Sequence, residues 1–254
     1  MISPQLTEKF QQLKLSAAMS GYEQVAENHD IERELLDKAI EELFDIQLAS
    51  RFENSQRLAR KNAALKWPQA MLENLPINDE SPFSLEDIQV LGSCEWVNNM
   101  QNVLLIGASG LGKTTAASAV GNGAIIKGFK VKFLKYRHLI KVLVEAELNG
   151  ETDKYIKKLN RMAVLIVDDW GLTPLTDEER LLLFNLVEER EGNGSWVITS
   201  QFDVGDWHKA VGEQYIGDSI FDRIGHTKFK YIFEAGSDSF RKINAQQGGK
   251  NVNK

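Results

Sequence analysis

The apolar run NVLLI (102 to 106) leads without a break into GASGLGKTT (107 to 115), and this junction limits the possible folds more than any other stretch. A short, almost continuous apolar run suits a parallel strand buried on both faces. TTAASAVGNGAII, which follows from Thr114, is compatible with a helix. The loop between them fits G-x-x-x-x-G-K-[ST], with Gly107, Gly112, Lys113 and Thr114 in the fixed places. Glycines let the backbone come close to a ligand, and the following helix points its positive end at the same spot. Gly107, Ala108, Ser109, Gly110, Leu111, Gly112, Lys113, Thr114 and Thr115 are therefore expected to form a nest of N–H groups around phosphate oxygens. Lys113 would reach the terminal phosphates, and the Thr114 hydroxyl would ligate magnesium. An ordinary strand-to-helix turn with a chance lysine is the bland alternative. The apolar strand upstream argues against it.

The same alternation continues downstream. VKFLKY (131 to 136), AVLIVDD (163 to 169), WVITSQ (196 to 201) and KFKYIFEA (228 to 235) read as further strands. Helical character runs through LIKVLVEAEL and LLLFNLVEE, and Thr176 with Glu179 forms a capping box ahead of the latter. Strands alternating with helices predict a parallel sheet of about five strands, flanked by helices on both faces.

The N-terminal part reads differently. Leu6, Phe10, Leu13 and Ala17 recur at helical spacing, as do Leu36, Ile40, Leu43 and Phe44. A small all-α module of about three helices is expected there. Prolines and asparagines break the pattern between Lys66 and Phe83, as at a linker or junction. The expected organisation is a helical module over 1–75, an α/β domain carrying the phosphate loop over 76–245 and a disordered tail over 246–254.

A phosphate loop calls for magnesium, and magnesium calls for hard oxygen ligands. VLIVDDW places Asp168 at the end of an apolar strand, where it can hold the ion opposite Thr114. Asp169, one residue on, can orient or deprotonate attacking water. The guanine signature Asn-Lys-x-Asp does not occur downstream of the loop, which favours ATP over GTP. WVITSQ ends in Thr199, Ser200 and Gln201. Carboxyl ends of parallel strands line the ligand crevice, so Gln201, the longest of the three, is the candidate sensor of the terminal phosphate. In SIFDRIGH, Arg223 reads either as an exposed arginine on an amphipathic helix or as a finger offered to a neighbouring subunit's ATP.

Charge and cysteine content exclude some classes. The single Cys94 rules out an internal disulfide, and no Cys/His cluster suggests zinc. No apolar run is long enough for a membrane span, and the N-terminus lacks a secretory core, so a cytoplasmic location with no membrane partner is expected. The net charge of −6 speaks against wholesale coating of nucleic acid. Residues 127 to 141 nevertheless carry six Lys/Arg and no acid. Lys132, Lys135, Arg137 and Lys141, with Lys154, Lys157, Lys158 and Arg161 as a second set, are the candidate contacts to double-stranded DNA.

Taken in order, GASGLGKTT, LIVDDWGLTPLT, VITSQFDVGDWHKAVG, IFDRIGH and GSDSFRK resemble the IstB-type transposition helper ATPases of insertion sequences. These are relatives of the DnaC-type helicase loaders in the AAA+ superfamily. The resemblance is strong over about residues 100 to 242 and loose over the N-terminal module. It implies an ATPase that forms a homo-oligomer on DNA with ATP at subunit interfaces, recruits or stimulates a cognate transposase and helps select target DNA. It also implies Walker A over Gly107 to Thr115, Walker B at Asp168 and Asp169, sensor 1 near Gln201, and an arginine finger at Arg223. Arg241 is a candidate second sensor. One departure stands out: Walker B of the superfamily usually ends Asp-Glu, whereas here it ends Asp-Asp, which points to slow or assembly-dependent hydrolysis. Helicase loading is the alternative function, and a small-molecule kinase a more distant one, since no lid with clustered arginines is evident.

Overall fold

The computed structural model describes residues 3–16, 18–22, 33–78, 81–207, 211 and 214–234. They fall into two compact units, Met1–Leu58 and Ala59–Lys254. No helix among the described residues is long and apolar enough to cross a membrane.

In the first unit, α1 (Pro4–Gln12) begins at Ser3, whose side chain accepts from the Leu6 N–H, with proline in the first turn where its missing N–H costs nothing. Leu6, Phe10 and Tyr22 form a small core, with Ile40 and Phe44 of α2 (Arg33–Ala63) packed on it. Leu43, expected on the same apolar face, is 62% exposed. It follows Ile40 by three residues but also stands next to Phe44, and the narrow core of α1 covers only part of that stripe. Ala17 and the side chain of Leu36 lie outside the described residues.

The second unit opens with α3 (Leu85–Ser93) and α4 (Glu95–Asn98), then alternates. Its elements are β1 (Val103–Gly107), α5 (Lys113–Ile126), β2 (Val131–Lys135), α6 (Tyr136–Leu148), α7 (Thr152–Asn160), β3 (Val164–Trp170), α8 (Asp177–Arg190), β4 (Ser195–Ser200), α9 (Gln214–Ile224) and β5 (Phe229–Phe233). All strand pairs are parallel, in the order β2-β3-β4-β1-β5. Because side chains alternate across a sheet, β1 feeds two cores. Val103 and Leu105 join Ala116, Ala119 and Val120 of α5 on one face. Leu104 and Ile106 join Leu139 of α6, Leu183 of α8 and Ile220 of α9 on the other. This double burial explains why the strands read as apolar runs. The α8 capping box forms as its sequence predicts, Thr176 Oγ1 accepting from Glu179 N–H and Glu179 Oε2 from Thr176 N–H.

The proline-rich segment 66 to 83 is not a loose tether. Leu72, Leu75 and Phe83 are buried in the α5 core, and a short 3-10 turn covers Leu72–Asn74. Arg190 closes the far end of α8. Its fully buried guanidinium donates to the carbonyls of Leu159, Met162 and Ser195 at 2.8–3.1 Å and stacks over Trp196. Burial among these carbonyls pushes its pKa down to about 10.

Candidate functional site

The phosphate loop spans the turn from β1 to α5, at the carboxyl end of the sheet. Gly107 has φ +149, and a Cβ there would stand 2.2 Å from the Phe233 carbonyl oxygen, so only glycine lets β1 end this close to β5. Gly112 caps α5 at φ 94, which turns the following N–H groups into the loop. Lys113 is 6% exposed and its Nζ donates to the Ala108 carbonyl at 2.7 Å. Burial lowers its pKa, and the charges of Asp169 and Asp168 work against that fall.

The two halves of the expected magnesium site meet. Thr114 Oγ1 donates to Asp168 Oδ1 at 2.8 Å. Burial raises the Asp168 pKa, while hydrogen bonds from Thr199 and Thr114 and the nearby Lys135 pull it back. Hard oxygens of this kind suit magnesium, yet no cluster of three or more His, Cys, Asp or Glu stands among the described residues. An ion held here would complete its shell with phosphate oxygens and water.

Thr199, rather than Gln201, meets the two carboxylate residues. Its hydroxyl donates to Asp168 Oδ1 at 2.6 Å and accepts the Asp169 N–H at 3.0 Å. The signal for it was only a polar strand end. Gln201 itself lines the cavity, half-buried. Asp169 sits at φ 62, a left-handed conformation that β-branched and long side chains resist but Asp and Asn tolerate. That backbone explains the Asp-Asp ending: the position favours the shorter carboxylate. It also marks a register shift between β3 and β4 at Val167/Trp170.

The cavity holds about 600 Å³ and brings together Ser109, Gly110, Gly112, Lys113, Thr114, Thr115, Asp168, Asp169 and Gln201, with Lys66, Trp67 and Leu172. Lys135 lines it too, which sets it apart from the other basic candidates. Of these, Lys132 Nζ donates to the Asn62 carbonyl, Arg137 pairs with Glu179, Lys141 with Glu145 and Lys154 with Glu151. Lys157, Lys158 and Arg161 are exposed on or just after α7.

Arg223 is not in the cavity. Its carbonyl accepts from Asn102 Nδ2 at 3.0 Å, beside the start of β1, while the phosphate loop begins where β1 ends. Its guanidinium pairs with Glu191 at 2.7 Å and lies over the Phe184 ring. Trp170 and Trp207, from the segments LIVDDWGLTPLT and VITSQFDVGDWHKAVG, lie together. Trp207 packs against Trp170 with ring centroids 5.5 Å apart, and its Nε1 donates to Ser200 Oγ. They tie the carboxyl ends of β3 and β4 together. His208, Arg241 and the tail lie outside the described residues.

Residues 8–248 match the family described as IstB-like ATP binding protein. An insertion-sequence ATP-binding protein of Sinorhizobium fredii is 27% identical over 92% of this chain and 93% of its own length. The insertion sequence IS21 ATP-binding protein of Pseudomonas aeruginosa is 28% identical over 80% of this chain and 75% of its own. Among solved structures, the DnaC helicase loader superposes with a TM-score of 0.53 at 22% identity, covering 65% of this chain and 97% of that one. AMPPCP-bound DnaA from Aquifex aeolicus gives a TM-score of 0.56 at 16% identity over 74% and 57%. At such identities the likeness is one of fold.

Proposed function

The chain belongs to the IstB-like ATP binding protein family and is an ATPase of AAA+ fold, and from that premise we propose that it serves an insertion sequence as an ATP-switched assembly on double-stranded DNA. In this reading it recruits and stimulates the cognate transposase and helps choose the target. The relatives that carry insertion-sequence names support a transposition role over helicase loading.

The site residues divide the work. Backbone N–H groups of Gly107 to Thr115 hold the triphosphate, and Lys113 turns from the Ala108 carbonyl to the terminal phosphates. Thr114 and Asp168 would hold magnesium, which when bound would neutralise phosphate charge. Asp169 orients water and takes its proton. Gln201, on the cavity lining, senses the terminal phosphate.

One observation carries the assembly: Arg223 sits at the wrong end of its own sheet. The five residues of β1 separate its anchor at Asn102 from the phosphate loop, a span of roughly 16 Å at about 3.3 Å per residue. No arginine side chain covers that. A neighbouring subunit's site is the one it can serve. Its pairing with Glu191 is solvent-accessible, and such pairs are worth only about 0–1 kcal/mol, so a neighbour's phosphates displace it readily.

Sedimentation with long duplex DNA and a non-hydrolysable ATP analogue tests the proposal. Large assemblies are expected only when both are present. A chain that stays monomeric with both would refute it.

A further inference from the structure

The loop and the carboxylates account for the phosphate end of the cavity, but not for Lys66 and Trp67, which line it as well. Four of the five tryptophans are buried, Trp96, Trp170, Trp196 and Trp207 each at 3% exposure or less, whereas Trp67 is 44% exposed. A single exposed aromatic is unremarkable by itself. What distinguishes Trp67 is how its backbone is held. Its N–H donates to Ser118 Oγ at 3.3 Å, and Ser118 Oγ donates to the Thr114 carbonyl at 2.8 Å. One turn further on, Asn122 Nδ2 donates to the carbonyls of Pro68 and Ala70, each at 2.8 Å. Ser118 and Asn122 are both fully buried. The helix that opens at the phosphate loop therefore grips the strip that carries Trp67, fixing its backbone relative to Lys113 and Thr114.

We propose that Trp67 is the platform for the nucleobase. Its indole stacks on the base of a nucleotide whose phosphates lie in the loop, with Lys66 on the same rim. The inference rests on the nucleotide reading of the cavity. Its volume, about 600 Å³, lies within the range of small-molecule sites and leaves room beyond the phosphates. Every base has a π-face, so stacking supplies affinity for the nucleoside part without choosing adenine over guanine.

The test is calorimetry on the full chain with magnesium, using ATP and inorganic triphosphate as probes. Trp67→Ala should weaken ATP binding by roughly five- to 150-fold, the span of losses seen when a stacking aromatic is removed. It should leave triphosphate binding unchanged, because substituting the side chain spares the main-chain bonds to Ser118 and Asn122. Trp67→Phe should stay within about threefold of wild type, since a ring remains. Acrylamide quenching gives a second readout in the unaltered protein, since Trp67 alone of the five tryptophans is open to the quencher. ATP should protect it and triphosphate should not. Unchanged ATP affinity in Trp67→Ala, or equal losses for both probes, would overturn the base-platform role. Failure of the wild-type chain to bind either probe would instead overturn the nucleotide reading, and the platform with it.

Discussion

Thr199 and Asp168 share a buried hydrogen bond of 2.6 Å across the ends of neighbouring strands. The same hydroxyl oxygen accepts the Asp169 N–H, so a single side chain fixes the carboxylate facing Thr114 and the backbone of the next. Thr199→Val keeps the shape and deletes both bonds. Hydrogen bonds to charged groups contribute about 1.5–3 kcal/mol, so turnover should fall roughly ten- to a hundred-fold. Thr199→Ser should keep most of the rate. Steady-state hydrolysis and ATP affinity, measured together, check this, and a Val variant with wild-type turnover would remove Thr199 from the site.

Asp169 separates binding from hydrolysis. Asn tolerates its φ of 62 as well as Asp does, so Asp169→Asn changes the charge and spares the backbone. ATP should bind normally through Lys113, Thr114 and Asp168, while turnover drops by roughly 10²–10⁴-fold, the usual loss of a general base. Asp169→Glu restores the common Walker B ending, yet a long side chain in this conformation costs about 1 kcal/mol. It should lower thermal stability slightly without speeding hydrolysis. Faster turnover in the Glu variant would show that carboxylate reach, rather than backbone conformation, limits the natural rate.

Lys113 and Arg223 should complement each other between subunits. Lys113→Ala removes the cation facing the phosphates and should abolish or severely weaken ATP binding, as calorimetry would show. Arg223→Ala should bind ATP but turn it over slowly. Mixed assemblies pair an intact loop on one subunit with an intact arginine on its neighbour, so hydrolysis should partly recover. No recovery at any ratio, with both variants assembling normally, would count against the trans assignment.

The strands and the phosphate loop were legible because each is written in contiguous residues. A doubly buried strand must be apolar, and a phosphate nest must have glycines at fixed spacing. Elements that depend on contacts distant in sequence were not. Segment 66 to 83 carries the prolines of a linker, yet Asn122 and Ser118, more than fifty residues away by their hydrogen bonds, hold its start from Trp67 to Ala70 in place. Thr199 looked like any polar strand end, since only the pairing of β3 with β4 brings it to Asp168. The left-handed φ of Asp169 was foreshadowed by the missing Glu, but that signal could be interpreted only once the backbone was seen.

DNA affinity should come from a narrower stripe than charge alone suggests. Lys135 lines the nucleotide cavity, and Lys132 donates to the Asn62 carbonyl. Lys132 also lies close enough to Lys158 for the two charges to oppose each other, so β2 and α7 present their cations together. Lys157, Lys158 and Arg161, exposed at the end of α7, are then the best placed to meet phosphate. A few contacts per subunit bind weakly in a monomer and strongly when an ATP-driven assembly repeats them along the duplex. Such contacts read the backbone, so target preference should be loose. Counterion release makes log affinity fall linearly with log salt, by about 0.9 for each phosphate neutralised. With an ATP analogue and long duplex DNA the slope should be steep; Lys157→Ala, Lys158→Ala and Arg161→Ala combined should flatten it and leave ATP binding intact. A slope that the triple substitution does not change would place the DNA surface elsewhere. Binding that ignores the nucleotide and shows a shallow slope in the wild type would remove the assembly from the mechanism.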